Sequence, residues 1–398
     1  MLYSFLFRKN ILVVISKDKL IASDTVAPLI REYKEGAGGK VYFYVPYIHT
    51  LEFINKNFIL YKAISEVSDI KIVATGEGVR RKFSYIKTLF FWIVLSIKGA
   101  KFIHFGMLNV WPFKVLTWIN ANNIFYMQND TYYHTNAEIQ AKANLLGNVD
   151  EILHQKWKNS KEIAGNNIIA NSKEHYFLQN PKNSHKNVFV FSGSRLMPSW
   201  INFINDNQHL YKEYHKDVDF SNGAIVYVLG TFDPVAGLRN ENSTELLFIN
   251  TIKILDKLNL NLPILIKPHA YTQMDVVYNA LDKVDSKNFH ITYFHPTLLS
   301  LKAKAWICNL YSTTCADAYC MGVKTIEYTN YSDNFLKASL GKSVGYQYVD
   351  YFIQNNDSDL SVALTEAIDS SNELAGLRCN PLDDNNLLDA LTSTKIHI

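Results

Sequence analysis

Residues 305–328 read AWICNLYSTTCADAYCMGVKTIEY, and this stretch decides the fold. It opens on an apolar run (305–308), then turns through three successive hydroxyls, Ser312, Thr313 and Thr314. Small residues follow as far as Gly322, and a β-branched run (325–328) closes it. Strand, turn, helix, glycine cap and strand make the cadence of a βαβ unit with parallel strands. A helix that starts in a hydroxyl-rich turn straight after a strand suits an anion. Its first N–H groups lack intrahelical partners, and the hydroxyls add donors. Simple capping by Ser312 or Thr313 is the alternative reading.

The same cadence extends outward. Runs at 224–229, 263–266 and 290–293 read as strands, separated by helical patterns at 244–258 and 276–284, with a short helix at 298–303. With 305–308 and 325–328 they make a five-stranded Rossmann-like sheet. A last helix is expected at 360–368. Earlier in the chain, 11–15, 41–45, 70–74, 102–105 and 124–127 repeat the pattern, with shorter candidates at 151–153 and 168–170. The expected architecture is α/β of GT-B type, with two Rossmann-like domains, 1–195 and 221–398, joined by a polar linker at 196–220. Such domains face one another across a cleft, and ligands sit at the carboxyl ends of their strands.

Composition agrees. The chain has 398 residues, 48% of them apolar and 19% charged, with a formal charge of +3. That is enough apolar surface for two packed domains and excludes a disordered chain. The charge lacks the basic surplus that phosphate backbones demand, so nucleic acid is not an expected partner. Four cysteines without CxxC spacing are expected to be reduced and buried. The first sixteen residues read as the approach to a strand, not as a signal peptide. The most apolar run, 88–97 (TLFFWIVLSI), is about half the length of a spanning helix. The expected compartment is therefore the cytoplasm. Between Lys71 and Asn120, however, eight Lys/Arg accompany a single acid, Glu77, around that aromatic run. Such a segment fits either a Rossmann helix buried against its sheet or a contact with the inner face of an anionic membrane.

Further candidates lie at strand ends. Lys267-Pro268-His269 closes the run ILIK, where Pro268 stops the strand. A histidine there could hydrogen-bond or protonate a leaving phosphate, with Lys267 supplying charge. Gly230-Thr231 closes the first strand of the second domain. A helix cap at Ser243 or Thr244 follows.

The pairing of Lys-Pro-His with a later Tyr-Ser-Thr-Thr, helix and Gly-Val-Lys-Thr-Ile-Glu-Tyr resembles the second domain of GT-B glycosyltransferases. More narrowly, it is similar to the bacterial sialyltransferase, polysialyltransferase and Kdo-transferase families, and also to the CDP-glycerol glycerophosphotransferases. The resemblance covers roughly residues 224–328. It implies that His269 and the pair Ser312 and Thr313 bind the cytidine monophosphate of a CMP-sugar donor, without a metal. Ala270 stands where the motif has proline, and His295-Pro296 offers a competing histidine. Glu327 matches the position from which many GT-B enzymes hold the ribose. The families' catalytic base belongs to an acidic-acidic-Gly motif in the first domain. Asn129-Asp130-Thr131 departs from that motif but leaves Asp130 as the candidate, with Glu77, between Gly76 and Gly78, as the alternative. The implied activity is inverting transfer of a nonulosonic acid or Kdo-type sugar to a bacterial surface glycan, free or lipid-linked. The alternatives are polyol phosphate transfer and non-catalytic nucleotide-sugar binding.

Overall fold

The computed structural model describes residues 10–128, 162–172, 178, 180–230, 232, 243–269, 271–284, 286–343, 345–370, 376–383 and 386–393. They separate into two α/β units.

The first unit is built on β1 (Ile11–Ile15), β2 (Lys40–Val45), β3 (Asp69–Ile72), β4 (Lys101–His104), β5 (Ile124–Met127), β6 (Asn167–Ala170) and β7 (Asn187–Ser192). All seven are parallel, in the order β3-β2-β1-β4-β5-β6-β7. The central strands carry continuous apolar runs because helices cover both faces: ILVVI of β1 has four of its five residues buried. The helix Leu20–Ala37 ends where Gly38 takes φ 60° and its N–H reaches the Lys34 carbonyl. The order of the strands reverses between β1 and β4.

The second unit holds β8 (Ala224–Val228), β9 (Ile264–Lys267), β10 (Phe289–Ile291), β11 (Ala303–Cys308), β12 (Lys324–Thr329) and β13 (Tyr351–Gln354). Their order is β10-β9-β8-β11-β12-β13, all parallel, which is the doubly wound arrangement with its switch point between β8 and β11. The opening stretch folds as read: β11, the helix Thr313–Cys320, Gly322 at φ 88°, and β12. Two parallel α/β units with Rossmann-like strand orders match the expected fold class.

Several expectations need correction. The stretch 196–220 forms the helices Pro198–Asp206 and Leu210–Tyr214. Both are anchored, with Trp200 and Tyr211 buried and the Tyr211 hydroxyl donating to the Leu298 carbonyl at 3.0 Å. The grouping of the chain changes after residue 203, inside the first of these helices, and the described residues from Pro381 onward belong with the first unit, not the second. There Leu382–Asp383 adds an antiparallel strand, β14, beside β7. The second sheet has six strands, β13 being unforeseen, and β7 was unforeseen in the first. The candidate strand 151–153 lies outside the described residues. Cys308 and Cys315 are buried and not joined by a disulfide, as expected, but Cys320 and Cys379 form one. The Arg378 N–H, which donates to the Cys320 carbonyl at 2.8 Å, brings the second cysteine into reach across 59 residues of sequence. No helix among the described residues is long and apolar enough to cross a membrane.

Candidate active site at the carboxyl edge of the second sheet

Three loops follow adjacent strands of the second sheet: Gly230 after β8, His269 after β9, and Ser312 after β11. With strands about 4.8 Å apart, the outer two are separated by about 10 Å along the edge. They flank the switch point, where doubly wound sheets take their ligands.

The loops of β8 and β9 are tied by Thr272. Its hydroxyl accepts from the His269 N–H (2.8 Å) and donates to the Gly230 carbonyl (2.8 Å). His269 Nδ1 accepts from the Tyr271 N–H at 3.3 Å. A neutral ring that accepts at Nδ1 carries its proton on Nε2. Among the described residues Nε2 has no hydrogen-bond partner, and the side chain is exposed. Desolvation by the surrounding loop, and then the charge of Lys267, lower the His269 pKa from its ordinary value. The ring is therefore a neutral Nε2–H donor presented at the edge. Lys267 is half-buried at the end of β9, opposite Val228. A Cβ on Gly230 would meet no atom of the described residues within 4 Å.

At the third loop the hydroxyls divide their work. Ser312 caps the helix Thr313–Cys320, accepting from the Thr314 N–H (3.4 Å) and the Thr314 hydroxyl (3.1 Å). Thr313 is half-buried, and its hydroxyl has no partner among the described residues. Ser312 is therefore taken up by capping, while the Thr313 hydroxyl is not. The loop is held from below. Asn309 binds Thr251 and the Tyr328 carbonyl and accepts from Tyr227.

Two sequence candidates turn out to be internal. His295 is fully buried, and its Nδ1 caps the helix Pro296–Ser300 by accepting from the Thr297 N–H at 3.2 Å. It does not compete with His269. Glu327 is fully buried as well. Its carboxylate accepts from the Tyr311 N–H (2.9 Å), the Tyr331 hydroxyl and the Ser343 hydroxyl, so it fastens the β11 loop and is not open to a ribose. Thr231 and Asp130 lie outside the described residues.

In the first unit, Glu77 is exposed at the start of the helix Gly78–Ile97, beyond the edge strand β3 and away from that sheet's switch point. The sequence reading missed another pair at the carboxyl ends of β1 and β2. His49 Nε2 lies 2.8 Å from Asp18 Oδ1, which also accepts from the Thr50 hydroxyl at 2.6 Å. A carboxylate only accepts, so it fixes the proton on Nε2 and leaves His49 Nδ1 as an acceptor. The two residues are 31 apart in sequence, and no local motif signals them. No cluster of three or more metal-ligating side chains occurs among the described residues.

No family model matches the chain, and no curated protein does. Solved structures do. A Listeria monocytogenes protein assigned as a UDP-N-acetylglucosamine 2-epimerase matches over 96% of this chain and 94% of its own, at 10% identity and a TM-score of 0.50. The Staphylococcus aureus protein MnaA, solved with UDP, matches over 93% of this chain and 92% of its own, at 9% identity and a TM-score of 0.49. The glycotransferase of kitacinnamycin matches over 97% and 94%, at 9% identity and a TM-score of 0.45. At 10% identity the Listeria match speaks for the fold alone, and with the two parallel sheets it gives the chain the GT-B architecture of two Rossmann-like units.

Proposed function

We propose that the protein is a glycosyltransferase that uses a pyrimidine-nucleotide sugar, its second unit holding the nucleotide phosphate. The observation that carries this reading is the edge of the second sheet. There the Nε2–H of His269 and the hydroxyl of Thr313, on a helix N-terminus, both without a partner among the described residues, lie on either side of the switch point. In the transfer, an acceptor hydroxyl attacks the anomeric carbon and the bond from that carbon to the phosphate oxygen breaks. The nucleotide leaves with the electron pair, and the hydroxyl proton passes to a base. Donors aimed at the leaving phosphate stabilise charge that develops only as the bond breaks. Two bases are proposed: Asp130, implied by the family resemblance, and His49, held by Asp18.

The finer assignment is a CMP-linked nonulosonic acid or Kdo-type sugar delivered to a surface glycan, supported by Lys267-Pro268-His269 with Ser312-Thr313. A UDP-sugar is the second reading, favoured by the names of the Listeria and Staphylococcus proteins. Metal independence is part of the proposal, because the helix N-terminus and His269 can carry the phosphate charge. The test is nucleotide release from a panel of CMP-, UDP- and CDP-linked donors with glycan acceptors, with and without EDTA. Release of CMP in EDTA supports the finer assignment. Turnover of CDP-glycerol alone overturns the sugar reading. His49→Gln and Asp130→Asn in the same assay identify the base by which one abolishes transfer.

A further inference from the structure

The helix Gly78–Ile97 has two apolar faces. At 100° per residue, Thr88, Trp92 and Leu95 fall together within about 60°. They are buried, and Trp92 packs on Phe113 with ring centroids 5.0 Å apart. Val79, Phe83, Ile86, Phe90 and Ile97 fall within about 60° on the opposite side, and they are 83%, 68%, 62%, 68% and 68% exposed. A helix of a soluble domain ordinarily turns a polar face outward.

A second exposed apolar group lies outside the helix. The segment packed beside it presents Trp111 and Trp118, 65% and 69% exposed, with their rings 5.2 Å apart. Cations border the ridge. Arg80, Lys87 and Lys98 share one flank, about 90° from its centre, and Lys82 lies on the other. All four are exposed, as is Lys114 beside the tryptophans. From Gly78 to Gln128 the sequence contains no Asp or Glu. An apolar ridge edged by lysine and arginine, with exposed tryptophans and no acid, is complementary to lipid tails beneath anionic headgroups.

We infer that this face of the first unit lies on an anionic bilayer, the helix parallel to the surface, with Phe83, Ile86, Phe90 and the two tryptophans entering the headgroup boundary. Of the two sequence readings, the helix buried against its sheet holds for the Trp92 side. Docking here needs no donor or acceptor, so its test stands apart from the sugar chemistry. The full chain is floated with vesicles of phosphatidylcholine, with and without phosphatidylglycerol, and tryptophan emission is recorded. Binding is expected only with the anionic lipid, to fall as salt rises, and to shift the emission to the blue. Arg80→Glu/Lys82→Glu/Lys87→Glu should weaken it on the order of 100-fold. Phe83→Ser/Phe90→Ser should abolish it, and Trp111→Phe/Trp118→Phe should remove the blue shift while binding persists. All three variants change exposed side chains, and unchanged circular dichroism controls for folding. Equal binding to both vesicle types, or unaltered binding by the charge-reversed chain, overturns the inference. So does a patch that buries itself in a dimer of this chain and leaves vesicles untouched.

Discussion

Each sheet sets a histidine at a strand end near its switch point, and the two have opposite fates. In the first unit His104 ends β4, fully buried. Its Nδ1 accepts from the Gly106 N–H at 3.1 Å, and its Nε2 lies 3.2 Å from the Ala164 carbonyl. In the second unit His269 follows β9, exposed, and its Nε2 has no partner among the described residues. Similar topology thus yields a closed polar core in one sheet and a presented donor in the other. What decides is how many partners the neighbouring loop brings, not the position at the strand end.

The largest effect should come from His269→Ala, which is expected to lower kcat by about 10²–10³-fold with an unchanged melting temperature. His269→Gln, which keeps a donor, should recover part of the rate. A melting temperature that falls along with the rate would make His269 a structural residue like His104 and erase the contrast.

The reverse outcome is expected for His104. Burial pushes its pKa down to about 4 from an ordinary 6.5. Between those values the unfolded chain binds the extra proton. The stability from this group is therefore complete above about pH 6.5 and lost as pH falls through about 4, amounting to about 3 kcal/mol. Urea unfolding at pH 7 and pH 4.5 measures it, and His104→Asn should flatten the difference without selectively affecting donor KM.

His295→Ala sharpens the comparison within one sheet. Losing a buried helix cap should cost about 1–2 kcal/mol in the same unfolding assay, with donor KM unmoved. The smallest effect is reserved for Thr313→Ala. One lost hydrogen bond to the donor should raise KM about tenfold, and Thr313→Ser should restore it.

The fold was legible because both sheets are buried on two faces, so runs such as IVYV and ILVVI stand out from the polar turns between them. β13 was missed because its YFIQ is short and half-exposed. β7 was missed because NVFVFS ran into what looked like linker composition. That linker itself misled, since its polar residues hide Trp200 and Tyr211, whose burial no local pattern announces. The site was legible as a set of loops, not as roles. Lys-Pro-His and Ser-Thr-Thr marked the right strand ends, but only geometry separates Thr313 from the capping Ser312, or the presented His269 from the enclosed His295. Glu327 was misread for the same reason, because its three donors arrive from residues 311, 331 and 343. His49 with Asp18, and Cys320 with Cys379, depend on distant pairings that spacing cannot encode.

The return of residues 381–393 to the first unit has a consequence for how the chain is made. β14 covers the open edge of β7, Asp383 Oδ1 accepts from the Leu387 N–H at 2.8 Å, and the helix Leu387–Thr392 packs on the helix Leu20–Ala37. During synthesis β1 to β7 leave the ribosome before any strand of the second unit. Yet the edge of β7 stays uncovered until residues 382 and 383 are translated, after every strand of the second sheet, and uncovered edges invite pairing with other chains. The first sheet is thus completed only after the second, and a nascent chain halted before residue 381 would carry an open edge at β7.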